Sequence, residues 1–180
     1  MFSFFIILIY VYCLYVGYRR GLAYEGLSAL GYLISFIIAV LFYKPFSSLL
    51  TLWIPYPSAN DRSRFAFFDQ TTGLTLDKSF YAVIAFVIIL LFFYGIWRII
   101  MHGFNQLKFV EINKEINTLA SILIALIITQ IGVYLFLFIL ATIPSPGLQS
   151  ALGKSILANS ILRYTPGLSN FFINLFINAI

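Results

Sequence analysis

Four long apolar runs, at about residues 2–18, 22–43, 80–101 and 118–143, dominate this 180-residue chain. Each is about long enough to cross a hydrocarbon core ~30 Å thick. Lipid offers no water to a bare N–H or C=O, so a run of this length must close its hydrogen bonds within itself, as a helix does. With 62% hydrophobic and 9% charged residues, against about 25% charged in soluble domains, the chain lacks the material for a water-facing surface. It reads as an all-α membrane protein of one integral domain, residues 1–180, with four transmembrane helices. Short interfacial helices are expected in the outer loop and in a C-terminal tail at 147–180.

A formal net charge of +5 would suggest nucleic acid in a soluble protein. Here Lys and Arg gather at span ends and in connections, so membrane lipid headgroups are the expected counter-charge and no nucleic-acid partner is expected. The N-terminus has no basic leader ahead of its apolar run. Its charges, Arg19 and Arg20, follow that run instead, the pattern of a retained first span with the N-terminus outside. That topology leaves Arg19, Arg20, Arg98, Lys108 and Lys114 on the cytoplasmic side and Lys44, Arg62, Arg64, Lys78, Lys154 and Arg163 outside. The counts barely differ, but the outer six are diluted over a long loop and a tail that also hold Asp61, Asp69 and Asp77.

Between the first two spans, Gly17 and Gly21 bracket Arg19 and Arg20. The glycines free the backbone to leave the helix at the membrane face, and the arginines fix the topology. This turn, a second span bearing Gly and Ala and ending near Tyr43-Lys44-Pro45, and the stretches 113–131 and 149–166 together resemble the colicin V production protein family of small bacterial membrane proteins. The family tends to carry glycines four apart where this chain has Ser121 and Ala125. The resemblance implies a four-span inner-membrane protein connected with toxin production, with both termini outside.

Small residues recur at four-residue steps, which keep to one helix face. Gly31, Ser35 and Ala39 line the second span, and Asn117, Ser121, Ala125 and Thr129 line the fourth. Helices in lipid associate by close backbone approach and by hydrogen bonds, so these two stripes are expected to touch each other. Glu25 and Arg98 each lie about a turn inside a span. A Glu25–Arg98 ion pair, or Glu25 with Arg19 or Arg20, would neutralise them there. Gln130 sits near mid-depth in the fourth span and needs an internal partner.

Catalytic, metal and cofactor sites are not expected: His102 and Cys13 are the only residues of their types, and the predicted topology puts them on opposite faces. The loop at 45–79 is rich in aromatic residues, with 49–54 expected as an interfacial helix and Asp61, Arg62 and Arg64 as a solvated turn. Residues 148–163 read as a helix too polar to cross. In the last segment Asn170, Asn174 and Asn178 repeat every four residues among apolar neighbours, and twelve residues reach only ~18 Å. That segment is either a flat interfacial helix with its asparagines toward water or a seam for a partner or a second copy.

Two functions fit this reading. One is an inner-membrane factor that supports toxin production or export, or the envelope, through contacts with membrane-protein partners or as a homo-oligomer. The other is a small oligomeric channel or transporter.

Overall fold

The computed structural model describes residues 2–57, 65–68, 76–109, 114–165 and 167–178, and every element among them is helical. The long helices are α1 (Phe2–Arg20), α2 (Leu22–Leu50), α3 (Leu76–Met101) and α4 (Lys114–Thr142). All four contain segments long and apolar enough to cross a membrane. Their outward faces carry large apolar side chains such as Phe4, Tyr12, Leu41 and Leu91, a surface that suits lipid and not water. At 29 residues, α2 is about 43 Å long, so it tilts or emerges from a core ~30 Å thick.

Each of these helices extends beyond one end of the span read from sequence. Pro45 does not end α2, which continues to Leu50. A proline in a helix removes one backbone hydrogen bond, and nearby hydroxyls supply others: Ser48 Oγ donates to Pro45 O at 2.8 Å and Ser47 Oγ to Lys44 O at 2.7 Å. The interfacial helix expected at 49–54 is therefore absorbed into the end of α2 and a turn in which Ile54 N donates to Leu50 O. The solvated turn expected at Asp61, Arg62 and Arg64 lies outside the described residues.

Gly17 and Gly21 divide the work expected of both. Helix α1 runs through Gly17 to Arg20, and the break falls at Gly21, whose φ of +73° suits glycine. The freed N–H of Leu22 then donates to Asn117 Oδ1 of α4 at 2.8 Å, which satisfies one of the orphan donors at a helix start.

The closest helix pairs are α2 with α3 and α1 with α4, both antiparallel. The two small-residue stripes accordingly find different partners instead of each other. Gly31 faces the Trp97 ring of α3 so closely that a Cβ has no room, and Ser35 Oγ turns back to Gly31 O. Ala39 is fully buried. On α4, Ser121 Oγ donates to Gly17 O of α1, a Cβ on Gly17 would stand 3.2 Å from Ala125 Cβ, and Thr129 Oγ1 meets Cys13 Sγ at 3.0 Å. Only Asn117, the first member of its stripe, bonds α2. Glycine opposite a bulky ring and glycine opposite small side chains both allow close approach, and sequence does not say which helix lies opposite.

After α4 come α5 (Pro146–Gly153), α6 (Ile156–Tyr164) and α7 (Leu168–Ile173), the last continued by a wider turn over Asn174–Asn178. The mixed-polarity helix expected at 148–163 is thus two helices. Ser155 caps the second, its Oγ accepting from Ala158 N.

Candidate functional site

The tail folds into the bundle instead of lying flat against it. Ser155, at the head of α6, meets Ser3 at the start of α1, Oγ to Oγ at 2.9 Å, so α6 begins at the rim where the first span begins. At the far end of α6, Thr165 Oγ1 accepts from Gln130 Nε2 at 2.9 Å, and Gln130 Oε1 accepts in turn from the Tyr10 hydroxyl. Tyr10 and Gln130 both sit near the middle of their helices, so Thr165 stands at half the height of the bundle. From there Gly167, with φ of +80°, reverses the chain, and α7 climbs back. Phe172 meets Phe36 and Tyr134, while Phe176, four residues on, meets Tyr43 and Phe138 farther toward the same rim. Residues 156–165 and 167–178 are the two arms of a re-entrant helical hairpin.

Such a hairpin exposes backbone groups at membrane depth and survives only if they are satisfied by protein. Its apex supplies them: Thr165 Oγ1 donates to Ile161 O at 2.7 Å, and Ser169 Oγ donates to Leu162 O at 2.9 Å. Tyr43 OH donates to Leu175 O at 2.9 Å on the returning arm. The arm is held by aromatic packing, with Phe172 and Phe176 stacked at 5.6 Å and Tyr134 stacked on Phe172 at 5.3 Å. Both phenylalanines are fully buried, whereas Asn170, Asn174 and Asn178 are exposed on the opposite side of the arm. Asn178 Nδ2 donates to Asn174 Oδ1 at 2.7 Å.

Between the two arms and α4 lies a cavity of about 380 Å³. Tyr134, Phe138 and Ala141 form its back wall, Leu162, Arg163 and Tyr164 one side, Ser169, Asn170 and Ile173 the other, and Phe67 and Phe68 its cover. Arg163 holds that cover, with Nη2 donating to Ala66 O at 3.0 Å and the guanidinium 5.6 Å from the Phe67 ring centroid. From α5, Gln149 accepts from Ala66 N at 3.0 Å and donates to Ile143 O at 2.7 Å. Tyr56 closes the same rim by donating to Thr142 O at 2.8 Å. Burial, with smaller contributions from Asp77 and Tyr81, pushes its hydroxyl up to about 12.

At the opposite rim, of the pairings expected for Glu25, the structure forms the one with Arg20, Nη1 to Oε2 at 3.4 Å, and not the one with Arg98. Arg20 is five residues away along the Gly21 turn, so the hairpin geometry itself delivers it. Arg98 and Arg20 instead each stand 5.9 Å from the Tyr24 ring centroid, and Nη1 of Arg98 is buried without a hydrogen-bond partner among the described residues. Arg19 donates to Tyr15 OH at 3.0 Å. Among the described residues no three His, Cys, Asp or Glu side chains gather where they could hold a metal.

The span positions, the glycine–arginine turn and the tail now stand together as one unit. Residues 2–166 match the family model described as colicin V production protein. The chain belongs to the colicin V production protein family. The match takes in all four spans, α5 and α6, and stops just before the returning arm of the hairpin. The chain is also 28% identical over 155 residues to the uncharacterized transmembrane protein YshB of Bacillus subtilis (strain 168), covering 86% of this chain and 85% of that protein. No solved structure matches it.

Sequence had marked Gln130 as needing a partner but not Thr165 or Tyr10, since nothing local shows that a tail residue returns to mid-span. Arg163, Phe172 and Phe176 were equally silent: one counts as an outer charge, and the others look like ordinary apolar tail.

Proposed function

We propose that this colicin V production family protein is an inner-membrane factor that acts through contacts with other envelope proteins, in toxin production or export or in envelope upkeep, and performs no chemistry of its own. The observation that carries the proposal is the filled interior. Tyr43, Phe86, Tyr134, Phe138, Phe172 and Phe176 are all fully buried at the level where a conduit through one copy would have to pass. With aromatic rings filling that level and no cluster of His, Cys, Asp or Glu among the described residues, the reading favoured is a protein that works by what it presents outward. Its most unusual outward feature is the stripe of Asn170, Asn174 and Asn178, amides that a neighbouring helix would satisfy. The rim bearing the first residues of α1 and the tail faces outside in this reading, because Arg19 and Arg20 are packed into the shortest connection, where cationic residues weigh most on orientation.

Flux through proteoliposomes holding the purified full chain tests the proposal. Vesicles that stay tight to monovalent ions and to small neutral solutes at several protein densities are the expected result. Flux that rises with protein density and falls on Asn174→Leu would overturn it in favour of an oligomeric pore lined by the asparagines.

A further inference from the structure

We propose that the cavity in the fork of the re-entrant hairpin is a binding site for one anionic phospholipid, its phosphate on Arg163 and one acyl chain laid along Phe67, Phe68 and Ile173. This goes beyond contact with protein partners and stands or falls without it. The volume, about 380 Å³, takes only the phosphate end and part of one acyl chain, so the rest of the lipid lies outside the fork. Its chemistry is divided in the way an amphiphile requires. Tyr134, Phe138 and Ala141 are buried and close it from behind, and the apolar side chains partly open to it are Phe67, Phe68 and Ile173. The polar groups, Arg163, Tyr164 and Asn170, are exposed and stand on the two arms.

Arg163 decides the sign of the headgroup. A guanidinium carries five N–H donors, and among the described residues Ala66 O takes one. The Phe67 ring covers it at 5.6 Å, so the side chain is fixed beside the cavity and not free to drift into water. A fixed cation at the edge of a hydrocarbon layer is a costly group that attracts an anion, and a phosphate accepts two of its parallel N–H groups at once. Bilayer lipid is present at this depth at very high local concentration, which a free anion is not.

The test is lipid retention by the full chain in a neutral detergent, read by native mass spectrometry with phosphatidylglycerol and phosphatidylcholine in competition, and located with a phosphatidylglycerol bearing a photoreactive acyl chain. The wild type is expected to prefer phosphatidylglycerol about fivefold per cation engaged, with labelling on Ile173 of α7 and on Phe67 and Phe68. Arg163→Gln is expected to abolish that preference in the site-specific label, and Arg163→Lys to keep most of it. Ile173→Trp, which fills the cavity from its half-buried side, is expected to remove the label while leaving the melting temperature within a few degrees. A label that retains its phosphatidylglycerol preference in Arg163→Gln, or one spread evenly over the bundle, would overturn the proposal. So would displacement of the label by inorganic phosphate, which would assign the site to a soluble anion.

Discussion

Gln130 Nε2 donates to Thr165 Oγ1 at 2.9 Å while its Oε1 accepts from Tyr10 OH, so a single amide ties the first span, the fourth span and the apex of the re-entrant hairpin together at half height. In lipid such bonds contribute about 0.6 kcal/mol on average and up to ~1.7 each. Gln130→Leu removes both and leaves the Tyr10 hydroxyl without its acceptor. A loss of about 1–2 kcal/mol is expected from SDS unfolding in mixed micelles. An unaltered unfolding midpoint would show that the amide does not bear on the hairpin.

Gly31 and Gly26 lie on the same helix and should respond in opposite ways to the same methyl group. A Cβ at Gly31 runs into the Trp97 ring, whereas one at Gly26 meets nothing within 4 Å. Trp97 cannot step aside freely, because its Nε1 donates to Leu27 O at 3.1 Å. Gly31→Ala is expected to cost about 1–3 kcal/mol, as overpacking does, with Gly26→Ala near neutral. Equal melting temperatures for the two variants would count against the α2–α3 contact described here.

Phe172 and Asn174 make the same comparison on the returning arm. Phe172 is fully buried against Phe86 and Tyr134, so Phe172→Ala opens a cavity and should cost about 3 kcal/mol or more. Asn174 is exposed, and Asn174→Ala should stay within about 0.5 kcal/mol. If both substitutions proved neutral, the arm would not be docked, and a flat interfacial helix would be the better description.

Glu25 is 4% exposed at its side chain and Arg20 is 26% exposed, so removing one partner is not equivalent to removing the other. Arg20→Gln leaves a buried carboxylate without its ion-pair partner, the costlier error. Glu25→Gln leaves a cation that reaches water and headgroups. The first variant should lose about 1–2 kcal/mol more than the second, and the double variant should recover part of the difference. Additive losses would argue that the pair is not coupled.

Tyr56 gives the fold a specific alkaline limit. Its hydroxyl is pushed up to about 12 by burial, with Asp77 and Tyr81 adding to the effect. Because the folded state holds this proton more tightly than the unfolded chain, the stabilisation is complete below about pH 10. It is lost as pH rises from there through 12. Ionisation also ends its donation to Thr142 O. Wild-type stability should therefore fall more steeply than that of Tyr56→Phe above pH 10, followed by tyrosinate absorbance alongside a melting curve. Parallel pH profiles would remove Tyr56 from that transition.

Sequence by itself determined that lipid surrounds this chain, that four helices cross it, that Gln130 must be satisfied internally and that the arginine turn is tight. These follow from local rules: run length against bilayer thickness, the absence of water for backbone groups, and the charge of a short connection. Only the tertiary structure decided that Gly31 faces Trp97 while Ser121 and Ala125 face Gly17, that Glu25 meets Arg20, and that the tail turns back at Thr165 to bury Phe172 and Phe176. The reason is physical. A small-residue stripe or a lone carboxylate states a need that several neighbours could meet, and helix pairing selects one of them. In the tail, the same alternation of asparagine and apolar residues serves a flat anchor or a docked arm, and what separates the two is whether the bundle leaves an aromatic-lined gap for it to enter.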